Sequence, residues 1–162
     1  VPQGLNNVGN LSGGFYHSLA LKENGSVVAW GDNRYGQGDV PAEALTGIVS
    51  IAAGAYHNLA MREDGTLVVW GRNHLGQLPL PSRERLGEIQ AIATGAHHNM
   101  VLRTDGTVYA WGYNQNGQSN VPAALKSVDH PDFVRVTAIE GGALHSLALR
   151  EDGTLIAWGQ KT

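Results

Sequence analysis

Four histidines are the residues in this chain that first suggest chemistry. His17, His57, His98 and His145 each stand three residues after a glycine and directly before Ser18, Asn58, Asn99 and Ser146. Imidazole is the commonest metal ligand and the side chain that most readily carries protons near neutrality, so a metal centre or an acid–base site is what they would offer. Their spacing argues otherwise. They fall 40, 41 and 47 residues apart, one in each copy of a repeated unit. Equivalent positions on successive units spread around an array, whereas a zinc ion needs its ligands within about 2.0–2.3 Å of one point. Each histidine is therefore expected to pack and hydrogen-bond loop backbone in its own unit. The pair His97-His98 changes nothing, because only His98 lies on the repeated position. Acidic turns offer a second candidate: Asn24-Gly25, Asp64-Gly65, Asp105-Gly106 and Asp152-Gly153. A calcium loop needs several oxygen ligands at alternating positions, and each of these turns supplies one. There is no cysteine, no Gly-x-Ser-x-Gly elbow, no phosphate-cradling loop and no zinc-protease motif. The chain is expected to use no cofactor and no metal, and not to be an enzyme.

The repeat itself is the stronger signal. Trp30, Trp70, Trp111 and Trp158 each end an apolar stretch just before a glycine, at the same spacing as the histidines. A period of about 40 residues marks a solenoid, propeller or array. Four units follow, at about 1–39, 40–79, 80–120 and 121–162. Glycine is abundant, 22 residues of 162. Its recurrence at fixed repeat positions predicts demanding turns and close backbone packing rather than a flexible linker. The net charge is −3, so no basic footprint for nucleic acid is visible. No apolar run approaches the 18 or so residues of a membrane-spanning helix. The chain opens at Val1 without a methionine, which predicts a processed form or an excised piece of something longer.

Each unit reads as a hairpin. Leu19–Lys22 and Ser26–Trp30 flank Glu23-Asn24-Gly25, and Asn-Gly or Asp-Gly between β-favouring runs predicts a type I′ turn. A third strand is expected at Ile48–Ala53, at Ile89–Ala93 and at Val134–Ile139. Large side chains such as Leu19 and Leu21 alternate with Ala20, so the sheets are apolar on both faces and must stack. The fold class expected is all-β, a propeller or half-propeller of four small antiparallel sheets. The third junction is longer, and its segment around Ser127–Phe133 is expected to project as a loop. Long helices are not expected; Ala42–Leu45 allows at most a turn. The tryptophans should fill the space between blades with their indole N–H groups paired. Asn33, Asn73 and Asn114 should shape their loops through bonds to backbone.

The string Ala29-Trp30-Gly31-Asp32-Asn33-Arg34-Tyr35-Gly36-Gln37, the following Val40-Pro41 and the recurring Gly-x-x-His-Ser/Asn-x-Ala-Leu/Met resemble the repeats of the regulator of chromosome condensation family. The likeness runs over essentially the whole chain and is greatest to compact bacterial members, among them a propeller-type protein inhibitor of β-lactamases. It implies blades that commonly number seven in a closed ring, and a rim whose loops bind a protein partner. It also points to a bacterial protein, secreted or cytoplasmic. Four units depart from seven. The chain could be a fragment, two copies could close an eight-bladed ring, or an open arc could persist.

What differs between units is where a function would reside. After the repeat glycine the chain reads Phe15-Tyr16, Ala55-Tyr56, Ala96-His97 and Ala143-Leu144. Inside the following loop it reads Arg34-Tyr35, His74-Leu75 and Gln115-Asn116. In the resembled family these two loop sets share one rim, so Phe15, Tyr16, Tyr56, His97 and Leu144, with Arg34, Tyr35, His74, Leu75, Gln115 and Asn116, are the expected partner-binding residues. Aromatic rings and arginine are the types enriched at interface hot spots. The reading is a non-enzymatic protein-binding module, with self-association to complete its ring. Two alternatives stand beside it: a self-assembling half-ring with no dedicated ligand, and a small-ligand or catalytic site in a central channel.

Overall fold

The computed structural model describes residues 1–160; Lys161 and Thr162, which the repeat count assigns to the fourth unit, lie outside the described residues. The repeats fold into four separate three-stranded antiparallel sheets. The first is β1 (Val8–Gly13), β2 (His17–Lys22) and β3 (Val27–Gly31). The second is β4 (Ile48–Ala53), β5 (His57–Arg62) and β6 (Leu67–Gly71). The third is β7 (Ile89–Thr94), β8 (His98–Arg103) and β9 (Val108–Gly112), and the fourth is β10 (Val136–Gly141), β11 (His145–Arg150) and β12 (Leu155–Gly159). This is a four-blade half-propeller. The expected third strands are present, the last beginning at Val136 rather than Val134. The first blade has one as well, β1, which sequence reasoning did not single out because Gly9-Asn10 and Ser12-Gly13 favour strands poorly.

The hairpin turns are where expected but of a different type. The Lys22 carbonyl accepts from the Gly25 N–H, and the Lys22 N–H donates to the Ser26 carbonyl, both at 2.9 Å. Gly25 alone in the loop has a positive φ, 77°, and Gly65, Gly106 and Gly153 match it. The loop is thus a type I turn closed by a glycine bulge, one residue longer than a type I′ connection. Asn24 and the aspartates keep negative φ and take a different task. Asp64 Oδ1 accepts from the Thr66 N–H at 2.9 Å and from its hydroxyl at 2.6 Å, and Asp105 and Asp152 repeat the arrangement with Thr107 and Thr154. These bonds hold the Asp64 and Asp152 carboxyls below the ordinary carboxylate range.

Antiparallel register sorts side chains onto two faces. Leu19 lies opposite Ala29 and Leu21 opposite Val27, while Ser18 lies opposite Trp30 and Ala20 opposite Val28. The first set faces the next blade and the second faces backward. Leu19, Leu21 and Val27 bury against Ile51, Ala60 and Trp70 of the second blade. Leu102 and Val108 of the third blade bury likewise against Ala148 of the fourth, with Ile139, Ile156 and Trp158 alongside. The hydrophobic core is therefore a row of joints between blades. The connections carry two short 3-10 turns, Ala42–Ala44 and Ala123–Leu125, and a one-turn helix, Arg83–Leu86, capped by Ser82. The Ser127–Phe133 loop is exposed except for half-buried His130 and Phe133. No helix among the described residues is long and apolar enough to cross a membrane.

Candidate functional site

The repeated histidines are joint residues. His17 Nε2 lies 2.6 Å from Asn58 Oδ1, His57 Nε2 lies 2.9 Å from Asn99 Oδ1, and His98 Nε2 lies 2.8 Å from Ser146 Oγ. Each imidazole thus reaches a side chain of the following blade, not loop backbone in its own, which corrects the expectation. The reason is register: the histidine sits on the forward face of its strand, against the backward face of the neighbour. Asn58, Asn99 and Ser146 in turn donate to the carbonyls of Gln37, Gln77 and Gln118 at 2.8, 2.9 and 2.9 Å. Because those groups donate there, Nε2 is the protonated nitrogen of each ring. Trp70 and Trp158 donate to the Gln37 and Gln118 carbonyls at 3.1 and 2.9 Å, whereas the buried Trp111 indole has no partner among the described residues. Burial pushes the His57 and His98 pKa values down to about 4 and lowers that of His17. A Cβ on Gly54 would lie 2.2 Å from His57 Cε1, so the ring is packed onto a bare backbone. His145, on the last of the described blades, is exposed. Among the described residues no group of three or more potential ligands could hold a metal ion.

Directly beyond this relay lies the rim. The Tyr16, Tyr56, His97 and Leu144 carbonyls accept from the N–H groups of Asp32, Arg72, Tyr113 and Gln160 at 2.8–2.9 Å. Both loop sets are thereby locked to one end of the blades. Asn33, Asn73 and Asn114 brace the second set, each accepting through Oδ1 from the backbone N–H five residues on, at 2.7–2.9 Å. Buried Gln37, Gln77 and Gln118 hold the N–H groups of Tyr35, Leu75 and Asn116 through their side-chain oxygens.

On this frame the rings form one continuous ladder across three blades. Phe15 meets Tyr16 edge-on at 6.4 Å, and Tyr56 lies 6.1 Å from each of them. Tyr35 packs edge-on against Tyr56 at 5.3 Å. Tyr56 stacks on His97 at 6.4 Å, and His97 meets His74 at 6.0 Å and Tyr113 at 6.2 Å. The Arg72 guanidinium lies over Tyr35 at 4.4 Å and over Tyr56 at 5.4 Å. Desolvation, with Arg72 close by, lowers the His74 pKa, and desolvation, with His74 and Arg72 close by, lowers that of His97. The structure therefore brings Phe15, Tyr16, Tyr35, Tyr56, His74 and His97 into one surface. Arg34 stands beside it, paired with Asp32 at 2.9 Å. Leu75 and Asn116 are half-buried, and Gln115 accepts from the Tyr113 hydroxyl at 2.8 Å. Leu144 occupies the matching place on the fourth blade, outside the ladder. Sequence reasoning missed Arg72 and Tyr113. Their signal was variation after Trp-Gly, where the chain reads Asp32, Arg72 and Tyr113.

Small residues line the central channel. A cavity of about 170 Å³ is bounded by Gly13–Phe15, Ala53–Ala55, Thr94–Ala96 and Gly141–Ala143. Its wall carries no ionisable side chain and one hydroxyl, Thr94. Backbone bonds cross it from blade to blade: the Phe15, Ala55 and Ala96 N–H groups donate to the Ala55, Ala96 and Gly142 carbonyls at 3.4, 3.0 and 3.2 Å.

Blades joined in this way, with a patterned rim above, define a propeller-type repeat protein. Residues 10–37, 48–77, 89–118 and 136–160 match the regulator of chromosome condensation (RCC1) repeat, and the chain belongs to that family. No curated protein sequence matches it. Yeast RCC1 (Prp20), solved bound to Kap60, is 24% identical with a TM-score of 0.77, covering 98% of this chain and 45% of that one. Human WBSCR16 is 23% identical with a TM-score of 0.78, covering 98% and 49%. The computationally designed Ika4 protein is 19% identical with a TM-score of 0.56, covering 98% and 95%. These are likenesses of fold. The chain spans a little under half the length of the two natural proteins.

Proposed function

We propose that this chain is a non-enzymatic protein-binding module whose rim engages a protein partner. The observation that carries this reading is the ladder from Phe15 and Tyr16 through Tyr35, Tyr56 and His97 to Tyr113, with Arg72 laid across two rings. Tyrosine and arginine dominate interface hot spots. Here both are held on a locked backbone, so docking orders little that was mobile. Solved relatives support a protein as the partner class: yeast Prp20 has been described with Kap60, Gsp1p and histones. The net charge of −3 weighs against a nucleic-acid backbone as the ligand, and the glycine and alanine wall of the channel offers nothing for acid–base work.

Self-assembly is a second reading, favoured by the outer faces of the first and last blades, where Leu11 is 65% and Leu155 68% exposed. A propeller with such faces completes its ring with a second copy or with further blades of a longer chain.

The rim reading is tested by immobilising the chain and its Tyr16→Ala/Tyr35→Ala/Arg72→Ala variant against proteins of its source, with bound proteins quantified by mass spectrometry. A protein held at least tenfold better by the unaltered chain is expected. Equal retention by two equally stable chains overturns the assignment.

A further inference from the structure

The three joints close differently at the turn end of the blades, opposite the rim. In the first, the Ile48 N–H donates to the carbonyl of the bulge glycine Gly25 at 2.9 Å; in the third, the Val136 N–H donates to that of Gly106 at 3.1 Å. In the middle joint no such bond joins Ile89 to Gly65 among the described residues. Register is not the cause. Ile89 lies opposite Arg103 as Ile48 lies opposite Arg62, so the Ile89 N–H still points out of its sheet toward the preceding blade. No neighbouring atom comes within 4 Å of where a Cβ on Gly65 would stand, whereas Gly25 and Gly106 abut Gly47 and Arg135. Side chains report the same gap: Val27 with Ile48 and Val108 with Val136 are buried, but Leu67 and Ile89 are only half-buried. The connection explains it. Val40-Pro41 and Val121-Pro122 lead into 3-10 turns, whereas Leu80-Pro81 leads into the one-turn helix Arg83–Leu86, with one residue more between Gln77 and Ile89 than between Gln37 and Ile48. Leu80 is left 40% exposed where Val121 is 4%. What remains is a cleft of about 200 Å³ walled by Leu67, Leu80, Pro81, Leu86 and Ile89, with Arg83 the one charged side chain lining it.

We propose that this cleft binds an extended segment of a protein partner, seating one leucine-sized side chain, with the segment's own N–H and carbonyl bonded to the Gly65 carbonyl and the Ile89 N–H, and a carboxylate of the segment on Arg83. The site goes beyond the rim and is independent of it. It lies between the second and third blades, so what stands beyond the first and fourth does not bear on it. The volume fits one such group, since an apolar cavity of about 150 Å³ takes up a benzene ring. A hydrocarbon alone would leave the donor and the acceptor unbonded, which costs free energy. One extended residue supplies both complements together, because its N–H and carbonyl can be exchanged with a partner strand as a pair. Main-chain bonds then give affinity and the side-chain seat gives specificity. Arg83 is available to a carboxylate: its pairing with Glu88 at 3.8 Å is between largely exposed groups and is worth little.

The test titrates the whole isotope-labelled chain with acetyl-Leu-Glu-amide and follows its amide resonances. Saturable shifts confined to Gly65–Leu67 and Leu80–Ile89 are expected, with a dissociation constant of about 1 mM for so small a probe, and amide exchange at Ile89 should slow. Acetyl-Gly-Glu-amide lacks the side chain, and the probe N-methylated at leucine lacks the donor; each should bind at least tenfold more weakly. Arg83→Gln, at an exposed site, should fold as the parent does and abolish the preference for the probe over acetyl-Leu-Gln-amide. Leu80→Glu, also exposed, should weaken the probe at least tenfold by placing charge in the aliphatic seat. The Tyr16→Ala/Tyr35→Ala/Arg72→Ala variant must bind the probe unchanged, which separates failure of the cleft from failure of the rim. No saturable shift, shifts centred on the rim, or equal binding of the glycine probe overturns the proposal. So does tenfold tighter binding of N-acetyl-leucine than of the blocked peptide, which would assign the cleft to a small acyl amino acid.

Discussion

Tyr56 and His57 share a peptide bond and obey opposite rules. Position 57 is histidine in all four blades, while position 56 reads Tyr, Tyr, His and Leu. The buried imidazole bonds Asn99, lies against bare Gly54 backbone and remains neutral, and it meets these three demands together. The ring one residue earlier stands on the rim, its backbone held through the Tyr56 carbonyl and its side chain free to vary. The joint uses side chains to fix geometry; the rim uses fixed backbone to display side chains. A repeat can therefore hold its architecture constant and change its surface within two adjacent residues.

Acid should break the joint first and most. Burial holds His57 and His98 at about 4, against an ordinary value of 6.5. In the unfolded chain both rings take up protons as pH falls below 6.5, while the folded rings stay neutral until about 4. Stability is therefore complete above pH 6.5 and is lost between 6.5 and 4, by about 2 to 3 kcal/mol for each ring. His17 adds a loss of the same sign. The depressed Asp64 and Asp152 carboxyls act only below their ordinary value of 3.8, which keeps the two windows apart. Urea midpoints at pH 7.5 and 4.5 measure the effect, and a flat profile would contradict a neutral buried relay. A single added methyl comes next. Gly54→Ala places carbon 2.2 Å from His57 Cε1 and 2.8 Å from the Gly95 carbonyl oxygen. Calorimetry should report a loss of about 3 kcal/mol, the upper part of the overpacking range.

What could be read in the sequence divides along the same line. Hairpins, three of the four inner strands, the alternation of Leu19 and Leu21 with Ala20, and the loop-bracing asparagines were legible because each depends on neighbours in the chain. The glycine bulge was not, since Asp-Gly serves both turn types and only the loop length decides between them. β1 was not, because its strand character comes from pairing with β2 rather than from its own residues. The histidine partner lies 41 to 48 residues away on another blade, and nothing local names it. The ring types of the rim were visible, but their merging into one ladder, and the place of Arg72 within it, required the curvature of successive blades.

Two tryptophans sharpen the joint side of the comparison. Trp70 and Trp111 occupy the same place and are both buried, yet the Trp70 indole donates to the Gln37 carbonyl while the Trp111 indole has no partner among the described residues. Replacing either by phenylalanine removes similar volume. Trp70→Phe should therefore cost about 1 kcal/mol more than Trp111→Phe, the net worth of one hydrogen bond, as read by chemical denaturation of the two variants side by side.

The smallest stability effect belongs to the rim, and there it would be the most informative. Tyr16 is 62% exposed, and its ring centroid stands 6.4 Å from that of Phe15 and 6.1 Å from that of Tyr56. The bond that anchors its residue runs from the Asp32 N–H to its backbone carbonyl, which Tyr16→Ala leaves in place. The variant should unfold within about 0.5 kcal/mol of the parent, as substitutions away from buried features do, while losing at least tenfold in retention of the rim's partner. A larger loss of stability would show that the ring braces the blade, and the separation between a constant joint and a variable rim would then fail at the position where it is drawn most sharply.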